Sequence, residues 1–492
     1  MIKRANWLIL PATAFLVCGC SGMSAQNESK EFSQIIKQDR SDIYALQQIS
    51  ALTVEDAITR ALEYNLDARI AEQDYLVSLE DAELQKLNSL PTITAKRSFI
   101  TRNNEAASSS ISALTGVQSL EPSISTDQTR WTSMLEANWD VLDSAINIYR
   151  SKSALDRAII SEERLRKVRQ NIISDVYSAY WRAAIAQLMK PSIEDAMIVS
   201  DQKLDALDTA TEMGDLPLQE AASAKTSLLE KRKRLNNLYD NFVLAEIELK
   251  ALVSFPPEHD LDLVVDEDWL DKDQLAKMSG STDKYIDDAL QKRPEIREEL
   301  LNKRIAERGV NLAIYETIPG LNLLLAYNED DNSFLLNDKW LDFTASITQS
   351  ITKILTLPTR YARAEKEEDL ADARRKALVA AVISQVYISK ILTRKAYFDY
   401  SEQLRLFDVA EGNFKRAETY KDAGLMGSIE FADASLDYEI AKLERYAVYA
   451  LGQEAQARFM NTLGYDLDDY YHLDVPEISL PPMTSEAGGV HG

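Results

Sequence analysis

Only 15 glycines and 13 prolines interrupt the 492 residues, and no glycine falls between Val117 and Met213. These two residues punctuate chains, so their scarcity predicts long, unbroken helices. Cysteine is scarcer still. Both cysteines, Cys18 and Cys20, lie in the N-terminal segment. A chain processed there keeps at most one sulfur, which excludes a disulfide framework or a thiolate metal site. The three histidines, His259, His472 and His491, sit in stretches that read as connector or tail, without a ligand partner at helical spacing. No glycine-rich phosphate loop occurs. A carboxylate pair is always findable among 79 acids and so means nothing by itself. Little is left to support an enzyme, and the chain calls for no cofactor. Past the N-terminus no apolar run reaches the roughly 18 residues of a membrane helix, which argues against a helical membrane protein.

The N-terminus is itself informative. Lys3 and Arg4 precede an apolar run from Trp7 to Val17 and then small residues, the pattern of a secretory signal over 1–19. Val17-Cys18-Gly19-Cys20 also has the form of a bacterial lipobox, which would make Cys20 the lipidated first residue of the mature chain; an ordinary signal cleaved elsewhere is the alternative. A covalent lipid on Cys20 is the one attachment expected. The formal charge is −24, and loss of Lys3 and Arg4 would take it to −26. Such a surface repels nucleic acid. The acids either cover long solvated helices or line a pore that favours cations.

The chain contains itself twice. Residues 54–93 match 282–321 at an offset of 228, with Ile58, Ala61, Leu62, Arg69, Leu84 and Pro91 recurring as Ile286, Ala289, Leu290, Arg297, Leu312 and Pro319. Farther on the offset is 210: Ile173-Ser174-Asp175-Val176-Tyr177 recurs as Ile383-Ser384-Gln385-Val386-Tyr387, and Gly214 as Gly424. An offset of 228 against one of 210 leaves 18 extra residues in the first copy, around Ser108–Ser112. Repeats that diverge in a loop share a fixed architecture with a free end.

Each copy reads as short helix, helix, strands and a long helical hairpin. The first repeat spans 52–255, with Thr53 as N-cap and Asp56 as its acidic partner. The second spans 283–465, behind a connector at 256–282; Pro294 fits the first turn of its second helix. Residues 20–51 read as a polar tether and 466–492 as a tail. After Pro91 and Pro319 the period changes from helical to two, predicting strands at about 93–102, 129–142, 321–328 and 339–352 around an outer loop at 103–128. Strands of this length could cross a bilayer in a tilted barrel, with Trp131 and Trp340 in an aromatic girdle. Lys96 and Arg97 make the first strand the weakest, since one must face each way. A soluble hairpin packed on the helices is the alternative. Long helices are predicted over 146–210 and 358–420, each paired with a returning helix (216–254, 428–462) and a shorter one (67–89, 294–316). A 65-residue helix is about 98 Å long at ~1.5 Å per residue, too long for a compact globule. A kink is expected at Pro191. Gly214 and Gly424 mark the reversals, where a left-handed residue helps.

Several of these segments resemble the TolC family of outer-membrane efflux proteins. They are Leu52-Thr53-Val54-Glu55-Asp56-Ala57-Ile58 with Ala61-Leu62, Ala289-Leu290 with Arg293-Pro294-Glu295-Ile296, Leu90-Pro91, Ile318-Pro319, and Trp139-Asp140-Val141-Leu142-Asp143. The match spans about 52–465. It implies a mainly α fold with a small membrane β-barrel: a homotrimer in which each chain gives four strands to a shared barrel and its helical hairpins to an α-barrel tunnel. It implies the outer membrane as location, with a lipid anchor and a body extending into the periplasm. It also implies two partners, a periplasmic adaptor and an inner-membrane transporter. Unpaired strand edges in lipid demand closure by several chains in any case. The family carries an acidic pair after the second tip, a position filled here by Glu430 and Asp433 as the implied periplasmic gate. Where some members carry a Tyr and Arg clamp, this chain has Lys421 and Met426, which leaves Lys421 against Glu220 as the possible latch. Gly214, Asp215 and Leu216 with Gly424, Leu425 and Met426 form the implied adaptor-docking tips. The resulting expectation is a passive exit duct of a tripartite efflux or type I secretion system. Its rival is a non-conducting, lipidated periplasmic coiled-coil spacer or adaptor, in which the four strand segments would be helical or soluble.

Overall fold

A computed structural model of the chain describes residues 25–43, 51–119, 121–264 and 280–466. The signal segment, Cys20, His472, His491, most of the connector and nearly all of the tail lie outside the described residues.

The elements in chain order are α1 (Ala25–Ile43), α2 (Val54–Tyr64), α3 (Leu66–Leu87), β1 (Thr92–Thr101), β2 (Ala107–Ser108), β3 (Ser123–Ile124) and β4 (Thr129–Asp140). They continue as α4 (Val141–Met213), α5 (Leu218–Leu252), α6 (Thr282–Lys292), α7 (Pro294–Tyr315), β5 (Gly320–Asp330), β6 (Lys339–Thr348), α8 (Ile351–Asp422) and α9 (Ser428–Leu463). The duplication is visible in the caps. The Thr53 hydroxyl accepts from the Asp56 N–H at 3.1 Å, and Ser281, 228 residues later, accepts from the Lys284 N–H at 3.3 Å. The Asp140 carboxylate accepts from the Asp143 N–H at 2.8 Å, and Ser350, 210 residues later, accepts from the Lys353 N–H at 3.3 Å. These last two caps correct the boundaries read from the sequence. They start α4 and α8 at Val141 and Ile351, earlier than hydrophobic periodicity suggests, and end β6 at Thr348. Pro191 sits inside α4 without breaking it, flanked by the buried Met189 and Ile193. Pro358 is tolerated inside α8 in the same way.

The 73-residue α4 and 72-residue α8 organise the molecule. α3 packs along the strand-side part of α4 and α5 along the tip-side part; α7 and α9 do the same for α8, and both also touch α4. The helical layer therefore runs α3-α4-α7-α8 near the strands and α5-α4-α9-α8 near the tips. The sheet has the matching antiparallel order β1-β4-β5-β6. Among the described residues, the first and last elements of both layers have one side without a neighbour.

Apolar clusters stitch the layer at mid-length. Leu52, Ile58, Tyr180 and Val253 form one, Trp181, Leu235, Leu436, Leu443 and Tyr449 a second, and Ala289, Val382 and Phe459 a third. Leu52 is 1% exposed; it bridges to Leu263, and its carbonyl lies 2.9 Å from the Tyr180 hydroxyl. The seam between the repeats also carries charge. Asp156, buried on α4, accepts from Arg304 at 2.8 Å and from Arg308 at 2.5 Å, both on α7. The buried Glu163 pairs with Arg297 at 2.6 Å.

α8 departs from expectation in composition. It holds an 18-residue stretch of mean hydropathy 1.3, long and apolar enough to span a membrane, of which only 17% is buried within the chain. A search for unbroken apolar runs passes over it because residues such as Gln385 and Ser389 interrupt the run. It is part of a helix of about 108 Å packed lengthwise on α7 and α9, which is the geometry of a wall element.

Candidate functional site: the sheet face and the hairpin tips

Strand register separates the sheet into two unlike faces, because successive side chains point oppositely. Ile93 pairs with Ala137, Leu135 with Tyr327, and Leu325 with both Ala137 and Phe343, so these residues share one face. Trp139, Leu321, Leu323, Leu341 and Ile347 belong to it as well. Every large hydrophobic side chain exposed on the four strands lies on this face, apart from Ile100 and Trp340. The opposite face is polar: the Asn322 amide donates to Asn138 at 2.7 Å and the Asn328 amide to Asp342 at 2.8 Å. Register also settles the Lys96–Arg97 question. Lys96 falls on the polar face opposite Met134, and Arg97 on the apolar face opposite Ser133. Trp131 stands on the apolar face, 4.8 Å from the Phe99 ring. Trp340 corrects the expected girdle. It lies on the polar face, its indole N–H donating to Asp342 at 2.9 Å.

The loop ends of the sheet are tied together. The Asn332 side chain accepts from the Asp127 N–H at 2.9 Å, the Ser333 hydroxyl donates to Asp127 at 2.9 Å, and Arg130 pairs with Asp330. The lengthened loop contains its own clip, β2 with β3, which periodicity is too short to reveal.

At the other end, Gly214 and Gly424 adopt φ of 79° and 70°, the left-handed conformation that closes each helix before the chain reverses. Met213 and Leu425 project from the tips, 71% and 76% exposed, and Asp215 is exposed beside them. Leu216 and Met426 are half-buried, Leu216 packing against the tip-side core. The structure does not bring Lys421 and Glu220 together in an ion pair among the described residues. The Lys421 ammonium lies 3.7 Å from the centre of the Phe431 ring, on the returning helix of its own hairpin, and Glu220 is an exposed first-turn residue of α5.

Glu430 and Asp433 share the start of α9 and do different things. Glu430 is exposed and accepts from the Gly427 N–H at 3.4 Å, at the helix start. Asp433 is held by two cations of the first repeat, Lys203 on α4 and Lys231 on α5, the latter at 3.1 Å. Lys231 also reaches Asp437 at 2.5 Å, and Arg234 pairs with Glu444 about two turns farther along α9. Lys203 is buried. Burial opposes the charge on Asp433, yet the two ammonium groups outweigh it and hold its carboxyl below the usual aspartate range. Burial likewise opposes the charge on Lys231, and Asp437 and Asp433 raise its pKa in spite of it. This clamp joins one hairpin to the other. Between the repeats Lys203 corresponds to Asn413 and Asp433 to Ser223, so cation and acid each occur in one copy, which by itself does not pair them.

Comparison of the sequence with family models and with curated proteins yields no match. Solved structures do match. The chain is similar to the open state of the MtrE outer-membrane channel of Neisseria gonorrhoeae, at 17% identity and a TM-score of 0.63, covering 84% of this chain and 89% of that one. It is similar to the CmeC outer-membrane channel of Campylobacter jejuni, at 13% identity and a TM-score of 0.64, covering 85% and 88%. The outer-membrane protein VceC of Vibrio cholerae matches at 14% identity and a TM-score of 0.61, covering 84% and 96%. At such identities it is the arrangement of elements that is shared: nearly the whole described chain has the TolC-family outer-membrane channel fold.

Proposed function

We propose that the chain is the outer-membrane exit duct of a tripartite efflux or type I secretion system, a passive conduit that hydrolyses nothing. The observation that carries this reading is the sheet. One face is apolar and exposed, the other polar, and both edges are open, in the same order as the open helical layer. In lipid an open edge costs several kcal/mol per unpaired group, so copies of the chain must close the ring. Three copies, as the family likeness implies, supply twelve strands to one barrel. Exposed apolar residues of α3 (Ile70, Val77, Leu84) then face the strand-side part of a neighbour's α8 (Leu355, Leu370), and those of α5 (Leu244, Ile247) its tip-side part (Ile391, Phe398, Leu406), along the tunnel wall. A non-conducting spacer would have those segments helical or soluble; strands with one exposed apolar face support the duct over it.

Gating belongs at the tips. Asp433 carries its charge in a clamp within the chain, so the cation-selecting ring at the narrow end is mainly that of Glu430. Docking of a periplasmic adaptor at Met213–Leu216 and Gly424–Met426 would shift a closed–open equilibrium by separating α9 from the Lys203–Lys231 side. A lipid on Cys20 would anchor the duct in the outer membrane, and an inner-membrane transporter would supply the energy.

Single-channel recording in planar bilayers tests this reading. Wild type should conduct with a cation preference, Glu430→Gln should lower that preference, and Asp433→Asn should raise open probability more than it changes selectivity. A purified protein that inserts and never conducts refutes the duct. Labelled palmitate should mark wild type and leave Cys20→Ala unlabelled.

A further inference from the structure

Arg97 is a charged group on a face otherwise built for lipid. Its register partner on β4 is Ser133, and that row continues through Glu329 on β5 to Lys339 on β6. Glu329 and Lys339 satisfy each other at 3.0 Å. Among the described residues no carboxylate or carbonyl is hydrogen-bonded to the Arg97 guanidinium, which lies against the Trp131 ring, 4.9 Å away. Below it on the same face come Ala95 and Ile93, and above it the Phe99–Trp131 pair. It is thus fixed at the step from apolar band to aromatic belt, the level at which headgroup phosphates meet a membrane protein. An arginine presents donors in a fork that fits two phosphate oxygens, and the neighbouring indole restrains it by a cation–π contact.

We infer that Arg97 forms, with the Trp131 ring beside it, a binding site for the phosphate of an anionic lipid on the outer wall of the barrel. The inference rests on the membrane reading of the sheet. Its position on β1 adds weight, because β1 is an edge strand: in a closed ring the next copy's β6 lies alongside. A phosphate bound there would bear on the seam between subunits.

The full-length protein is reconstituted into phosphatidylcholine vesicles with and without phosphatidylglycerol, and flotation establishes insertion. Lipid retained after detergent extraction is then measured by native mass spectrometry. Wild type should retain phosphatidylglycerol over phosphatidylcholine by roughly fivefold, the scale of one cation near a charged surface. Arg97→Leu, which extends the apolar face, should bring the ratio close to one, and Lys96→Leu, on the polar face, should leave it unchanged. Inorganic phosphate should not displace the retained lipid. A chain that floats with neither vesicle refutes the membrane reading and the site with it. Flotation with both but equal retention in wild type and Arg97→Leu refutes the site alone. An equal loss in Lys96→Leu, or displacement by inorganic phosphate, also overturns it.

Discussion

Lys203 is the deeper member of the tip clamp, its side chain 6% exposed against 45% for Asp433. Removing the carboxylate therefore strands a buried ammonium. Asp433→Asn should weaken the tip by about 1–3 kcal/mol, the half-exposed carboxylate reducing the cost of a fully buried pair. The direction of the pH response follows from the two shifts. Asp433, depressed, contributes stability above the ordinary aspartate range and loses it as pH falls through its folded value. Lys231, raised, contributes below the ordinary lysine value and loses it as pH rises through its folded one. Asp433 and Lys231 are therefore both charged throughout the range between the ordinary aspartate and lysine values, and protease nicking of the tips should increase as pH falls through the lowered Asp433 value. Asp433→Asn should show the same nicking at neutral pH. A second test lies at the repeat seam. Asp156→Ala leaves Arg304 and Arg308 facing each other without their shared acid and should cost about 1–3 kcal/mol, reduced because Arg304 is half-exposed, read as a lower thermal midpoint in detergent.

Helix ends show what a single residue does for an element. Gly214 and Gly424 hold positive φ with nothing within 4 Å of an added Cβ, so alanine there is strained by backbone alone, about 1–2 kcal/mol. Gly214→Ala and Gly424→Ala should speed amide exchange at their own tips and leave the global melting temperature nearly unchanged. Gly464, which closes α9, is different: an added Cβ would lie 2.7 Å from the Arg293 backbone nitrogen. Gly464→Ala should lower the global midpoint as well. These ends also show what was legible in the sequence. The duplicated order, the strand locations and both tip glycines could be read, because period and punctuation are local signals. Cap-driven starts at Val141 and Ile351 could not, since Asp140 and Ser350 override a periodicity that looks strand-like through them. Lys203 and Lys231 were invisible for another reason: their acid lies more than 200 residues away, and only packing of α9 against α4 and α5 brings it near.

At the scale of the whole molecule, the chain is an open strip, with uncovered apolar edges in both layers. A charge placed there should block closure without unfolding the strip. Ile391, 53% exposed on α8, sits on such an edge. Ile391→Glu should keep the helical circular-dichroism signal of wild type and elute as a single chain by light scattering, without conductance. The anchoring of Leu52 sets a further constraint. Tyr180, which holds it, lies 39 residues after the start of α4, about 58 Å down the wall from the sheet. Were Cys20 acylated, as proposed, a leash from the bilayer would have to descend that far. A stretch of eight residues, the number between α1 and Leu52, spans at most about 30 Å, so α1 could not then rest flat on the lipid surface. It would have to hang downward, contributing its own length of about 28 Å, and the exposed Phe32, Ile35 and Ile36 would be offered sideways to the duct rather than to the membrane.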